Sequence, residues 1–596
     1  MYPFQYIFYR LFCHLSLTME KENRYYTIVF KDASYTQWTF LDPDRVEVAM
    51  PELDPFVTSH RILTGDAVRV LPDETKLVEC SPARVSTSLC GVLVLNKTFG
   101  RNAKGRLLYQ CIPYAKDLPP FFVPYDLGVE FSKVVVNRYI LFRFDAWTSG
   151  RLPLGTCTQV FGAVDSHDAY FQYLMHAYGL YPRVKSRALN PPIGGVGIVT
   201  GGCPDVEDPV VFTMDPAGAE VFDDALSFWH ETGGAILQVV DIFIADAFSA
   251  FCPASDLFGG WASNIYLPDK RLSMFNTGLV RTASLDVGVI RKAVRLRLRY
   301  DSAGVLHDHA FACVDPVVVH YRGVYGAPIA AAASSSVAEL KVLTARLCTV
   351  PVADLAARFS WAPEEAESRA LVWFWMGEFN RFAALHFSCN NLSAFCRGLS
   401  KNTSFALDLG GPYEYTPVLP DMGPLLQLTS PLRRRVDFMN QAILVNSLQK
   451  DCSCLATSVL SPAVLLAPSV LATSCLAAWV ADLPRVNRIY KYTFKLTSQM
   501  HLLHYVAHHG LQIITGRVVD IGCASRCASS GRCASGRCAL SRGVAYFPVL
   551  KTYCAFRVPP GVMGEVAVDT DVRFRLYYFA RENEVKKKIR VEPLLS

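Results

Sequence analysis

Short apolar runs broken by turn residues set the texture of the first part of the chain. Residues 23–90 contain YYTIVF, RVEVAM, DAVRVLP and ARVSTSLCGVLVL, a pattern that predicts a small β-barrel. Residues 91–194 repeat the style with KVVVNRYILFRFDAW and predict a second barrel. From 195 to 508 strands mix with longer segments whose apolar positions recur at helical spacing, EEAESRALVWFWMGEFNRFAALHF and RVNRIYKYTFKLTSQMHLLHYVAHH. Short strands return over 509–596, in LQIITGRVVDI, GVAYFPVL, VRFRLYYF and KIRVEPL, as a third barrel. The expected class is multidomain α/β plus β, with small OB-type barrels flanking a mixed α/β body. Such barrels suit single strands, because they offer a basic groove and aromatic platforms.

Three segments interrupt this pattern. Residues 1–22 read either as a weak mitochondrial-type leader or as an extension ahead of a start at Met19. The uncharged stretch 453–481 is long enough to cross a bilayer, but Pro462, Pro468 and its many Ser and Thr residues favour a buried helix-loop-helix. A membrane-tethered factor is therefore the weakest of the readings. GCASRCASSGRCASGRCALSRG carries Cys523, Cys527, Cys533 and Cys538, without the paired CxxC knuckles of a zinc site. A biased, basic insertion whose arginines can touch phosphate is the better reading. The role of the repeat stays open.

Composition narrows the class further. The chain is 51% hydrophobic with 12% aromatic and 19% charged residues, which excludes a disordered protein. A net charge of +6 is compatible with a nucleic-acid partner without demonstrating one. Most of the 19 cysteines, such as Cys111, Cys313 and Cys389, stand alone in apolar surroundings and read as buried free thiols. With no secretory signal ahead of them, they point to a reducing intracellular compartment, be it mitochondrial, cytoplasmic or nuclear.

The stretch TMDPAGAEVFDDALSF sets Asp215 ahead of the adjacent pair Asp223 and Asp224 among apolar residues. Charges of one sign crowd together mainly around a cation, and Mg²⁺ takes carboxylate oxygens. The bland alternative is a turn of exposed acids capping a helix that starts near Ala225. A second motif, LTSPLRRRVDF, shifts the balance: Ser430 suits an N-cap and Pro431 a first helical turn. Arg433 would then lie where backbone N–H groups already favour an anion. Acidic cage and arginine together are the equipment of metal-assisted phosphodiester hydrolysis.

These stretches resemble the RNase II/RNase R family, whose catalytic module is the RNB domain, and the likeness is greatest to its eukaryotic exosome-nuclease branch. DPAGAEVFDDAL is similar to the family's metal-binding signature and TSPLRR to its arginine motif, with VDIFIADAFSAFCP and NIYLPDKRLSM between them. SHRILTGDAVRVLP resembles the end of a first cold-shock-type barrel, and RYILFRFDAWTSGRLPLGTCTQVFGAVDS a second. The resemblance implies Mg²⁺-dependent 3′-to-5′ hydrolysis of single-stranded RNA to nucleoside monophosphates. It implies Asp215, Asp223 and Asp224 as metal ligands, with Asp224 and Arg433 catalytic. It also implies RNA contacts from Tyr266, Tyr325 and Arg434.

The departures cluster at the same place. Val221 stands where the family has a fourth aspartate, and its neighbour Glu220 points elsewhere along an extended segment. The family's HIAD reads Phe243-Ile244-Ala245-Asp246, a glutamate position falls on Phe374, and a His-Arg pair reads Gln441-Ala442. The alternative is thus a pseudo-nuclease, an RNB fold kept as an RNA-binding or scaffold subunit of a larger RNA-processing or ribonucleoprotein complex.

Overall fold

The computed structural model describes residues 24–594, apart from 33, 71–74, 87, 127–134, 148–151, 181–208, 232–236, 251–261, 360, 400–404, 411–425, 456–472, 524–540, 559–565 and 581–584. The expected leader, the middle of the uncharged stretch and Cys527, Cys533 and Cys538 fall outside the described residues. The chain divides into two compact units, Met1–Tyr181 with Tyr577–Arg590, and Pro182–Leu576 with Val591–Ser596.

The first unit opens with the antiparallel strands β1 (Arg24–Phe30), β2 (Trp38–Leu41), β3 (Glu47–Val48), β4 (Ala67–Val70) and β5 (Thr75–Val78), in the order β3-β2-β1-β4-β5. Alternation turns Ile28, Phe30, Phe40 and Val68 inward against Val57 of α1 (Asp54–Ser59). The next apolar run is not all strand. Ser81 accepts the Ala83 N–H and Pro82 takes the first helical position, so Pro82–Val85 forms a helical turn, α2.

The strand proper begins at Leu89. Strands β6 (Leu89–Arg101), β7 (Leu107–Pro113), β8 (Phe121–Pro124), β9 (Arg138–Ala146) and β10 (Leu154–Ala163) close into a barrel filled by Leu93, Tyr109, Cys111, Phe121 and Phe142. Helix α3 (His167–Ala177) buries Tyr170 and Tyr173. Their hydroxyls meet the last part of the chain. Tyr170 donates to the Lys587 carbonyl at 3.0 Å and accepts the Lys587 N–H at 3.1 Å, while Tyr173 donates to the Val585 carbonyl at 3.2 Å.

In the second unit β11 (Val211–Asp215), β12 (Asp224–Glu231) and β13 (Leu237–Ala245) are followed by a small pair, β14 (Ile265–Tyr266) and β15 (Arg271–Leu272). With β16 (Ile290–Tyr300), β17 (Leu306–Val318) and β18 (Tyr321–Val324) the main sheet reads β17-β16-β13-β12-β11-β18. Only β18 among these pairs parallel, to β11. One face of β16 carries Val294, Leu296, Leu298 and Tyr300 into the core, and the other carries Arg295, Arg297 and Arg299.

Two short helices, α4 (Ala247–Ala250) and α5 (Thr277–Ala283), fall between these strands, and α6 (Ala331–Leu347), α7 (Val352–Phe359) and α8 (Ala366–Cys389) follow them in the chain. Helix α8 is locked to α6 by a 2.9 Å hydrogen bond from Trp375 Nε1 to Thr344 Oγ1. The hairpin β19 (Ala394–Leu399) and β20 (Phe405–Gly410) precedes α9 (Arg435–Leu455) and α10 (Thr473–His509).

The last sheet orders β21 (Ile513–Cys523), β22 (Ser541–Phe547), β23 (Thr552–Val558), β24 (Asp571–Ala580) and β25 (Lys587–Pro593) as β23-β22-β21-β24-β25. Strand β23, TYCAFRV, is missing from the sequence reading because a single helical turn, Pro548–Leu550, separates it from β22. Gly516 is required where β21 crosses the Phe547 ring, since a Cβ there would lie 2.6 Å from it.

Two expectations about cysteine and membrane need restating. Cys111 is buried as expected, but Cys313 and Cys389 are exposed, at a strand edge and a helix end where neighbours do not cover them. Among the described residues no helix is long and apolar enough to cross a membrane.

Candidate functional site

The acidic stretch is built by two neighbouring strands. Asp215 ends β11 and Asp224 opens β12, and the turn between them needs Gly218 at a positive φ of 77°. No helix starts at Ala225. Asp223 is 3% exposed, so this is not a turn of solvated acids. Burial comes first in pushing the Asp215 carboxyl up to about 6, with Arg433 opposing and Asp223 adding to it. Burial and then Asp215 hold Asp224 well above the usual carboxylate range. Asp215 Oδ2 is buried without a hydrogen-bond partner.

Asp223 does something different from its neighbours. Its Oδ1 accepts the Leu432 N–H at 2.9 Å, and its Oδ2 pairs with Arg433 Nε at 2.9 Å. Of the three carboxylates expected as metal ligands, Asp223 is thus the one engaged by the arginine turn. Both oxygens of Asp223 serve the arginine loop, and no three His, Cys, Asp or Glu side chains among the described residues converge as a metal site.

Asp215 and Asp224 still fit one Mg²⁺. That ion is held by one or two carboxylates with the rest of its shell from water and phosphate, and the bare Asp215 Oδ2 lacks a donor. A two-metal cage does not fit, because the fourth position is the methyl-tipped Val221. Glu220 does not replace it: its carboxylate pairs with Arg271 at 2.6 Å and is exposed.

The structure separates the three arginines of LTSPLRRRVDF, which the sequence leaves equivalent. Helix α9 begins at Arg435, not at Pro431. The Ser430 carbonyl accepts the N–H groups of Arg433 and Arg434, and Asp437 accepts the Ser430 N–H, so Pro431–Arg433 form a tight turn ahead of the helix. Arg433 turns to Asp223. Burial disfavours its charge, but Asp223, Tyr266 and Asp224 outweigh this and raise its pKa. Arg434, expected to contact RNA, is turned along the helix here. It pairs with Asp437 at 2.7 Å, one helical turn on. Arg435 is buried against Asp482 at 3.0 Å.

Tyr266 reaches the site because its strand runs beside the arginine turn. The Asn264 N–H donates to the Arg433 carbonyl, the Arg435 N–H donates to the Ala262 carbonyl, and Ser263 bridges Arg434. Tyr266 is 48% exposed, so it is not a core aromatic, and it lies near enough to Arg433 to favour the guanidinium charge. Tyr325 follows β18, donates its N–H to the Asp215 carbonyl at 3.0 Å, and lies under the Arg369 guanidinium at 4.6 Å. Burial and then Asp224 and Asp215 raise its phenol pKa.

The remaining departures have structural roles. Gln441 Oε1 accepts the Ala247 N–H at 3.0 Å and its Nε2 donates to the Ala245 carbonyl at 2.7 Å, which splices β13 to α4. Phe243 is buried, and Phe374 is buried edge-on to Trp375 with ring centroids 5.0 Å apart.

No family model matches the chain, and no curated protein matches it by sequence. Solved structures do. The apo form of Mycoplasma genitalium RNase R aligns over 96% of this chain and 100% of its own, at a TM-score of 0.55 and 11% identity. The chain has the RNase R fold. The same Mycoplasma protein in complex with ribose-methylated single-stranded RNA aligns over 95% of this chain and 100% of its own, again at 0.55 and 11%. Its complex with double-stranded RNA aligns over 89% and 98%, at 0.52 and 12%. The RNase R fold accounts for the closed barrel, the other small sheets and the mixed α/β body in one multidomain architecture.

Proposed function

We propose that the chain binds single-stranded RNA and takes its 3′ end to Asp215, Asp224 and Arg433 for 3′-to-5′ hydrolysis, as an RNase R-type exoribonuclease with a reduced metal site. The carrying observation is the meeting of two carboxylates, one short of a partner, with an arginine and an exposed tyrosine drawn from three separate segments. A bound Mg²⁺ would supply charge neutralisation and an activated water at the scissile phosphate. Arg433, freed from Asp223 as a phosphate arrives, stabilises the charge that develops there. Tyr266 stacks on the terminal base, a contact open to any base.

A second reading is favoured by two particular features: both oxygens of Asp223 are engaged, and Val221 offers no ligand. In that reading the fold serves as an RNA-binding or scaffold subunit and turns nothing over. The deciding experiment incubates the purified protein with 5′-labelled single-stranded RNA across a Mg²⁺ titration, with Asp224→Asn as control. Shortening products and released monophosphates that vanish in the control support hydrolysis. Binding without shortening at any Mg²⁺ concentration leaves the scaffold reading.

A further inference from the structure

The hairpin that carries Tyr266 is too small to hold itself. Strands β14 and β15 pair over two residues each, Ile265 with Leu272 and Tyr266 with Arg271, and an isolated two-stranded ribbon is marginal in water even when longer. Support comes from α10. The Tyr490 hydroxyl donates to the Ala262 carbonyl at 2.9 Å, and His501 Nε2 meets the Tyr266 carbonyl at 3.1 Å. A carbonyl can only accept, so His501 Nε2 carries the proton of that bond. Earlier on the same helix Asp482 holds Arg435 at 3.0 Å, where α9 leaves the arginine turn.

Helix geometry makes these contacts one device. Each residue advances by about 100°, so positions 482, 490 and 501 share one face of α10, within an arc of about 100°. From 490 to 501 the helix rises about 16 Å, while Ala262 to Tyr266 spans at most about 13 Å of extended chain. Helix and segment therefore run side by side in the same direction, pinned at both ends. The Ala262 end is buried and tied again by the Arg435 N–H, whereas Tyr266 is exposed. One turn before His501, the Ser498 hydroxyl donates to the Tyr553 carbonyl of β23 at 2.6 Å, which anchors that stretch of the helix in the last sheet.

We infer that α10 is a splint for the strand of Tyr266, and that His501 is the positioning residue that sets the angle of the Tyr266 ring against the 3′-terminal base. This rests on the stacking role proposed above. The bonded carbonyl belongs to the peptide that follows the Tyr266 Cα. Rotation of that peptide swings the Cα–Cβ bond and the ring with it, and a hydrogen bond to an anchored helix stops the rotation. Stacking weakens as ring planes tilt or part, so a strand fixed in angle binds a base that a loose one meets only part of the time.

The test uses the full chain, in chelator so that no RNA is consumed. The probe is single-stranded RNA of about 4 nucleotides ending in 2-aminopurine, whose fluorescence is quenched by stacking. His501→Ala should weaken binding about two- to tenfold, the worth of one hydrogen bond, and reduce the quench of the bound terminal base. His501→Gln, whose side-chain amide can donate to the same carbonyl, should restore both. Alanine and glutamine both suit a helix interior, so neither variant threatens α10. In a Tyr266→Ala background His501→Ala should have no further effect, because the two residues act through one ring. Wild-type affinity and quench in His501→Ala, or losses that add in the double variant, overturn the splint and leave the proposed function standing. A Tyr266→Ala variant that binds as wild type overturns the stacking role itself, and the splint with it.

Discussion

Single residues decide how the carboxylate pair behaves with pH. The folded-state pKa of Asp215 is raised from 3.8 to about 6, and burial together with Asp215 holds Asp224 well above the usual carboxylate range. A raised carboxylate pKa means the folded state binds protons that the unfolded state has released. Its contribution to stability is complete below about pH 4 and is lost as pH rises through about 6. In chelator, wild-type thermal stability should fall across that window. Asp224→Asn should be more stable than wild type at pH 7, and equal to it below about pH 4. Differential scanning calorimetry at both pH values reads this directly, and a wild type that is flat from pH 4 to 7 would contradict it. Added Mg²⁺ should stabilise the wild type and not the variant.

Val221 and Phe374 looked like a matched pair of losses in the sequence, and they are not equivalent. Val221→Asp adds an acid beside Asp223 and should raise Mg²⁺-dependent monophosphate release, most at low Mg²⁺. Phe374→Glu puts a carboxylate against Trp375 in the core and should cost about 2–5 kcal/mol without raising turnover, as measured by urea unfolding.

At the scale of elements, the site depends on one strand and one turn held side by side. Which arginine faces the carboxylates was legible only in part. The motif marked Arg433, but consecutive arginines on a turn diverge, and the sequence did not show that Arg434 pairs with Asp437 at i,i+3. Residues distant in sequence were invisible beforehand. Nothing local in Gln441 announces that it bonds Ala245 and Ala247, 194 or more positions away. Gln441→Ala should leave those buried groups unpaired and destabilise the protein by about 1–3 kcal/mol. Hydrogen exchange should show the Ala247 amide opening more readily, with the barrel β6–β10 unaffected. Tyr266→Ala should weaken binding of short RNA by about 1–3 kcal/mol, the usual cost of a lost stacking platform.

At the scale of the molecule, the order of small sheets and α/β body was readable because each barrel announces itself in strand texture. The grouping of residues was not, since hydrophobic periodicity says nothing about which distant element covers a given face. Single-stranded RNA should bind more tightly than blunt duplex, and both affinities should fall with salt; equal affinities in a filter-binding titration would count against a threaded strand. The tyrosines of α3 carry a different implication, one of time. Tyr170 and Tyr173 find their partners 417 and 412 residues later, at Lys587 and Val585. At a synthesis rate of about 5–20 residues per second, the helix that bears them waits about 20–80 seconds on the ribosome before those partners exist. Throughout that interval the two phenols lack the bonds that Lys587 and Val585 supply. The unit translated first is thus among the last to be finished, and an early stop codon near the 3′ end of the message would injure the N-terminal barrel.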